Sequence, residues 1–175
     1  MQLLYGVVVL AGCGRLGFEP LEQALDDGGA TDTIPLLEAA PCPTGYTALG
    51  TSCYRVQEAP PLTWTAAESA CEADAVGAHL VVPIDLAEVR LIQTDVLSVN
   101  VSDAWIGISD RFVAGEHRAV TGGISFTFWD TGQPDGGTER CVDLGTGNDM
   151  KDSACTDTND FICEYDGVPA DPAAF

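Results

Sequence analysis

Apolar positions recur twice at helical spacing between residues 60 and 100, with a short continuous apolar run between the two sets. Trp64, Ala67, Cys71 and Ala75 share one face of a first helix. Thr63 or Thr65 caps its start, Thr65 and Glu68 make a capping box, and Gly77 ends it. Residues 79–82 read as a buried strand. Asp85, with Glu88 three residues on, opens a second helix whose stripe is Leu86, Val89, Ile92 and Val96. Upstream, residues 42–56 carry Gly45, Gly50 and two cysteines, which suits a short hairpin closed by a bridge.

The last third reads as strands and turns. Trp105-Ile106-Gly107-Ile108 is an apolar run, Val120-Thr121-Gly122-Gly123 a turn, and Phe161-Ile162-Cys163-Glu164 a closing strand. Phe126, Phe128 and Trp129 follow the turn. Two helices followed by strands predict an α+β domain over residues 42–165, with two helices, small antiparallel sheets and a long loop region. Residues 131–158, rich in Gly, Asp and Asn, form that loop region, and a loop of this length usually carries function.

Composition narrows the setting. A net charge of −20 over 175 residues excludes nucleic acid and anionic lipid as partners, because both need a basic face. It fits solubility outside the cell, or divalent cation binding. Six of the seven cysteines lie between residues 42 and 163, behind an export-like start, and read as a disulfide frame in an oxidising compartment; spacing leaves their pairing open. The seventh, Cys13, follows an apolar run at residues 3–11 that is far below the ~20 residues of a spanning helix and suits a signal-peptide core. Leu10-Ala11-Gly12-Cys13 resembles a bacterial lipoprotein signal, although no Lys or Arg precedes the run. That resemblance implies a signal peptide at residues 1–12, a lipidated Cys13 with a flexible tether to residue 41, and an exported protein. Its place would be the bacterial cell envelope (outer membrane or cell surface), with the lipid as its only membrane contact. The tether would reach roughly 30 Å, and residues 166–175 read as a disordered tail.

Within residues 42–164 the ordered motifs are Cys42-Pro43-x-Gly45-Tyr46, Cys53-Tyr54, Trp64-x2-Ala67-x3-Cys71 and Gly77-Ala78-His79-Leu80-Val81, then Trp105-Ile106-Gly107-Ile108, Trp129, Gln133-Pro134-Asp135, Cys141-Val142 and Phe161-Ile162-Cys163-Glu164. Together they resemble the C-type lectin-like domain in its long, six-cysteine form. The resemblance implies the bridges Cys42–Cys53, Cys71–Cys163 and Cys141–Cys155. It also implies one Ca²⁺ in the long loop, bound by hard oxygen ligands. Gln133, Asp135, Glu139 and Asp152 match the ligand positions, and the bond before Pro134 is cis in the family. The matching asparagine is absent: Met150-Lys151-Asp152 stands where the sugar-binding members have Trp-Asn-Asp.

Two readings follow from that departure. In one, Lys151 substitutes its ammonium for the ion among Asp135, Glu139 and Asp152. In the other, Asn148 and Asp149 serve as the ligand pair from a register three residues earlier. Gln-Pro-Asp goes with galactose-type specificity in the family, yet residues 135–155 contain no aromatic on which a sugar face could stack. A second calcium position is poorly supported, since Ala114, Gly136 and Arg140 accompany Asp110 there. His79 reads as a core histidine and His117 as a solvated one; with no paired nucleophile, an enzyme is not expected. The expectation is an envelope-anchored binding module for a glycan or protein ligand outside the cytoplasm. The alternative is a calcium-independent protein-interaction or adhesion domain with a degenerate sugar site.

Overall fold

A computed structural model describes residues 41–97, 101–147 and 149–175. Cys13, the signal, the tether up to residue 40, and Asn148 lie outside the described residues. In chain order the elements are β1 (Thr47–Leu49), β2 (Ser52–Leu62), α1 (Trp64–Glu72), β3 (Ala78–Leu80) and α2 (Leu86–Leu91), which runs on as a π-helical turn over Ile92–Val96. Then come β4 (Ala104–Ser109), β5 (Arg118–Ala119), β6 (Cys141–Leu144), β7 (Met150–Ser153) and β8 (Asn159–Tyr165).

The predicted closing strand, β8, is the centre of the sheet. Its Phe161, Ile162 and Cys163 are buried, and it pairs antiparallel with β2 and β3 and parallel with β4. Beyond β4 the ladder continues to β6 and β7, while β1 extends β2 at the other end. The sheet is therefore mixed, where only antiparallel pairs were expected. The connection from β4 to β8, residues 110–158, carries β5, β6 and β7 and is long enough to return the chain parallel. The three bridges join Cys42 to Cys53, Cys71 to Cys163 and Cys141 to Cys155. The second encloses a separation of 92 residues, and cross-linking a loop of that size stabilises by nearly 5 kcal/mol on chain-entropy grounds.

Trp64, Ala67 and Cys71 lie inward as their spacing predicts, against Leu80, Trp105 and Phe161. The capping box at Thr65 does not form. Thr63 is the N-cap, Thr65 lies inside α1, and Glu68 points into the core, where its Oε2 accepts the Leu80 N–H at 2.8 Å. Asp85 does cap α2: its Oδ1 accepts the Glu88 N–H, and Glu88 Oε2 accepts that of Ile84. Of the predicted stripe, Val89 and Ile92 are buried but Leu86 faces solvent. Residues 131–158 are not one loop, since β6 and β7 form a hairpin inside them. Cys141, Val142, Leu144 and Met150 are too few and too scattered to show as a strand pattern, yet all four are completely buried.

The expected disordered tail also docks. Asp171 N–H donates to Val120 O at 2.7 Å, Ala174 is buried, and the Phe175 ring meets Trp64 edge-to-face at 5.6 Å. Apolar burial against Trp64 is what orders the segment. Gly77 has φ +89°, and a Cβ there would come within 2.8 Å of the Gly167 backbone, so the tail can pass only where residue 77 has no side chain.

His79 is a core residue, as expected, with Nδ1 at 2.8 Å from Leu80 O and Nε2 at 3.2 Å from Asp166. Burial pushes the Glu68 and Glu164 carboxyls up to about 7 against backbone hydrogen bonds that hold them down. Folded chains thus bind protons on these groups that unfolded chains release above the ordinary value of 4.5. Stability from this source is fully present below that value and is lost as pH rises through 7. The urea midpoint of the calcium-free protein should be higher near pH ~5 than near pH ~8, and Glu68→Gln should raise the alkaline midpoint and narrow the difference. A Glu68→Gln profile parallel to wild type would show that Glu68 is not a source.

Candidate functional site: a carboxylate cluster on the long loop

The Gln133–Pro134 peptide bond is cis, which reverses the chain and brings residues 133–136 back to β7. Asp152 receives them. Its Oδ1 accepts the Asp135 N–H at 3.0 Å and its Oδ2 the Gly136 N–H at 2.8 Å. Gln133 Oε1 lies across the same junction, 3.3 Å from Asp135 N and 3.4 Å from Asp152 N. Glu139 comes from the next turn. One carboxylate oxygen from each of Asp135, Glu139 and Asp152 lies within 4.8 Å of the others. Asp152 is buried, Glu139 half-buried and Asp135 exposed, so the cluster opens to solvent on one side.

Three carboxylates this close repel one another. The Glu139 carboxyl is pushed above its ordinary value by desolvation, then by its hydrogen bond with Asp135 and by the charges of Asp135, Asp152 and Asp157. Among the described residues no Lys or Arg pairs with the three. The donor set, carboxylates plus an amide oxygen, suits a hard divalent cation, for which 4.8 Å is about the widest oxygen–oxygen separation across one ion.

Lys151 does not enter the cluster. Successive side chains of β7 point to opposite faces, so Lys151 and Asp152 are directed apart. In the β6–β7 ladder Lys151 lies opposite Asp143, on the same face, while Asp152 lies opposite Val142. Lys151 Nζ stands 3.0 Å from Asp103 and 3.7 Å from Asp143. Asp143 is completely buried; burial pushes its carboxyl up to about 7, against a hydrogen bond from Ser153 Oγ and the Lys151 charge. The expectation that Lys151 replaces the ion is thus overturned. Asp149 is also elsewhere, held by Arg90 Nη1 at 2.7 Å, so its carboxylate does not join the cluster. Its proposed companion Asn148 lies outside the described residues.

The loop's other end is tied by Arg140. Its Nη1 donates to Asp110 O at 3.1 Å, its backbone C=O accepts the Asp110 N–H, and its Nε lies 3.8 Å from Asp110 Oδ1. Beside the cluster a small recess of about 150 Å³ is lined by His117, Pro134, Glu139 and Asp152. A larger one of about 490 Å³ continues past His117 and Pro134 to Ile124 and Trp129. His117, expected in solvent, is half-buried with its ring 4.6 Å from that of Trp129; burial lowers its pKa. Asp103 and His117 were missed as neighbours because they are distant in sequence, and Asp143 because its place opposite Lys151 depends on the β6–β7 register. The only signal available was that a lysine next to Asp152 needs an acidic partner.

The family model described as the lectin C-type domain matches residues 60–165. The hemolymph lipopolysaccharide-binding protein of Periplaneta americana is 32% identical over 151 residues, 78% of this chain; the chain spans only 58% of that relative's length. The C-type lectin domain of murine dendritic cell inhibitory receptor 2, solved in complex with N-glycan, superposes with a TM-score of 0.62 at 28% identity, over 71% of this chain and 98% of that one. A calcium-independent type II antifreeze protein superposes with a TM-score of 0.63 at 25% identity, over 75% and 96%.

The ion pair behind the cluster is testable on its own. Lys151→Met leaves Asp143 buried without its cation and should cost about 2 kcal/mol, below the full penalty for a buried pair because Lys151 is partly solvated. Adding Asp143→Asn should restore most of the loss in a denaturant titration. A Lys151→Met protein as stable as wild type would show that the pair contributes nothing.

Proposed function

Since the chain belongs to the C-type lectin domain family, we propose that it is a binding module that takes a glycan through a Ca²⁺ held by Asp135, Glu139 and Asp152, with Gln133 as amide ligand. The observation that carries this reading is the convergence of three carboxylate oxygens within 4.8 Å, with no Lys or Arg among the described residues paired to them. A bound Ca²⁺ supplies a charge centre that neutralises the carboxylates and has room in its coordination sphere for sugar hydroxyls. The protein's part is positioning. The backbone N–H groups of Asp135 and Gly136 fix the Asp152 carboxylate, which keeps further lone pairs free. The glycan-bound murine relative supports the choice of ligand class.

Those two hydrogen bonds also favour a second reading. Asp152 already ties the loop to β7 without an ion, so the loop geometry can persist in a calcium-independent protein-interaction or adhesion domain. The antifreeze relative described as calcium-independent is consistent with that arrangement. In this reading Asp152 and two backbone donors hold the loop, in the role first given to Lys151.

Export to an oxidising compartment is part of the proposal, and the three bridges support it. Anchoring to a bacterial envelope through lipid on Cys13 rests on the sequence motif alone. Incorporation of labelled fatty acid in wild type but not in Cys13→Ser would support it, and equal labelling would overturn it.

Thermal melting separates the two readings. Calcium at a hundredfold excess over its Kd should stabilise the protein by about 2.7 kcal/mol, and chelator should reverse this. Glu139→Gln should weaken calcium affinity by about tenfold while raising the metal-free melting temperature, because it relieves carboxylate repulsion. No calcium shift in wild type would favour the calcium-independent reading.

A further inference from the structure

Residues 135–155 have no aromatic side chain, but the structure brings two rings to the cluster from elsewhere in the chain. His117 precedes β5 and Trp129 lies just before the Gln133–Pro134 turn. Their rings meet edge-to-face at 4.6 Å. His117 and Pro134 line both the small recess, which contains Glu139 and Asp152, and the larger one, which contains Trp129 and Ile124. The two are therefore one groove with His117 and Pro134 at the junction. At its outer end Ile124 is 71% exposed, in antiparallel bridge contact with Arg118. An isoleucine this open beside two rings is apolar surface next to a strongly polar site.

We propose that this groove is a second saccharide subsite, which receives the sugar next to the one bound at the carboxylate cluster. The inference rests on the glycan reading above and deepens it from a terminal sugar to an extended oligosaccharide. Three features point to a neutral, amphipathic occupant. The rings of His117 and Trp129, the Pro134 ring and Ile124 offer the apolar faces on which a pyranose packs its C–H face. Ser125 and Thr127 place hydroxyl-bearing side chains along the same wall for the sugar's own hydroxyls. Among the described residues the carboxylate that lines the larger recess, Glu116, is neutralised by Arg118, whose Nε donates to it at 2.6 Å. In a chain of net charge −20 a wall without net charge disfavours a cationic ligand, and it offers no unpaired cation to an anionic one. Continuity through His117 then assigns the two recesses to successive residues of one chain.

The test uses the full chain on an array printed with monosaccharides and with di- and trisaccharides ending in the same sugars, in calcium and in chelator. Ile124→Ser is the first variant, because a side chain this exposed can change without disturbing the core. His117→Ala is the second, with its melting temperature measured alongside. Wild type should retain the extended glycans about tenfold more strongly than the matching monosaccharides, as one added aromatic-faced contact permits. Both variants should lose most of that advantage, and Ile124→Ser, outside the small recess, should keep monosaccharide binding and the calcium-induced melting shift. Equal binding of short and extended glycans overturns the subsite and leaves the calcium site standing, as do variants that retain the full advantage. Absence of calcium-dependent binding to any saccharide overturns the glycan reading and the subsite together.

Discussion

Because β8 is paired along both edges, the positions of nearly all other elements follow from it. β2 covers one edge over residues 161–165, and β3 and β4 share the other in succession. Cys163 adds a covalent tie to α1, and Glu164 turns its carboxylate to the Val82 N–H. A strand paired along both edges exposes little of its backbone and apolar surface, so it acts as a fixed reference in the fold. β4 takes its register from β8, β6 from β4, and β7 from β6. Asp152, on the last strand of that series, is therefore placed by a chain of backbone pairings and not by local sequence.

The same series decides which charge faces which. Strand alternation allows only one of Lys151 and Asp152 to meet the long loop, and the pairing with β6 selects Asp152. Lys151 is then committed to Asp103 and Asp143 on the opposite face. The result is two adjoining electrostatic environments: a lysine-paired acidic group behind the hairpin, and in front of it a carboxylate cluster with no Lys or Arg partner among the described residues. The cluster is suited to an external cation, and the Asp152 hydrogen bonds keep it assembled without one.

Much of the architecture was legible in the residues. The face of Trp64, Ala67 and Cys71, the Asp85 cap, the apolar run at Trp105 and the closing strand all appear where the sequence pattern put them, because each is carried by residues close together in the chain. The β6–β7 hairpin was not legible. Its burial depends on β4 standing beside it, and four buried side chains among Gly, Asp and Asn show no period. The tail at residues 166–175 was misread for a similar reason: its composition is that of a loop, and only the Trp64 ring, far away in sequence, gives Phe175 an apolar surface to cover. The Thr65–Glu68 capping box failed because Glu68 found a buried donor in the Leu80 backbone instead.

By itself the sequence determined the cysteine frame, the family resemblance and the identity of the candidate ligands Gln133, Asp135, Glu139 and Asp152, since these depend on residue type and order along one chain. It could not say where Lys151 points. That requires knowing which strand lies opposite and in what register, and a shift of one residue would exchange the two faces. Nor could it place His117 and Trp129 beside Pro134. Tertiary structure alone decided both, because the positions of side chains far apart in sequence are set by the packing of the sheet that carries them.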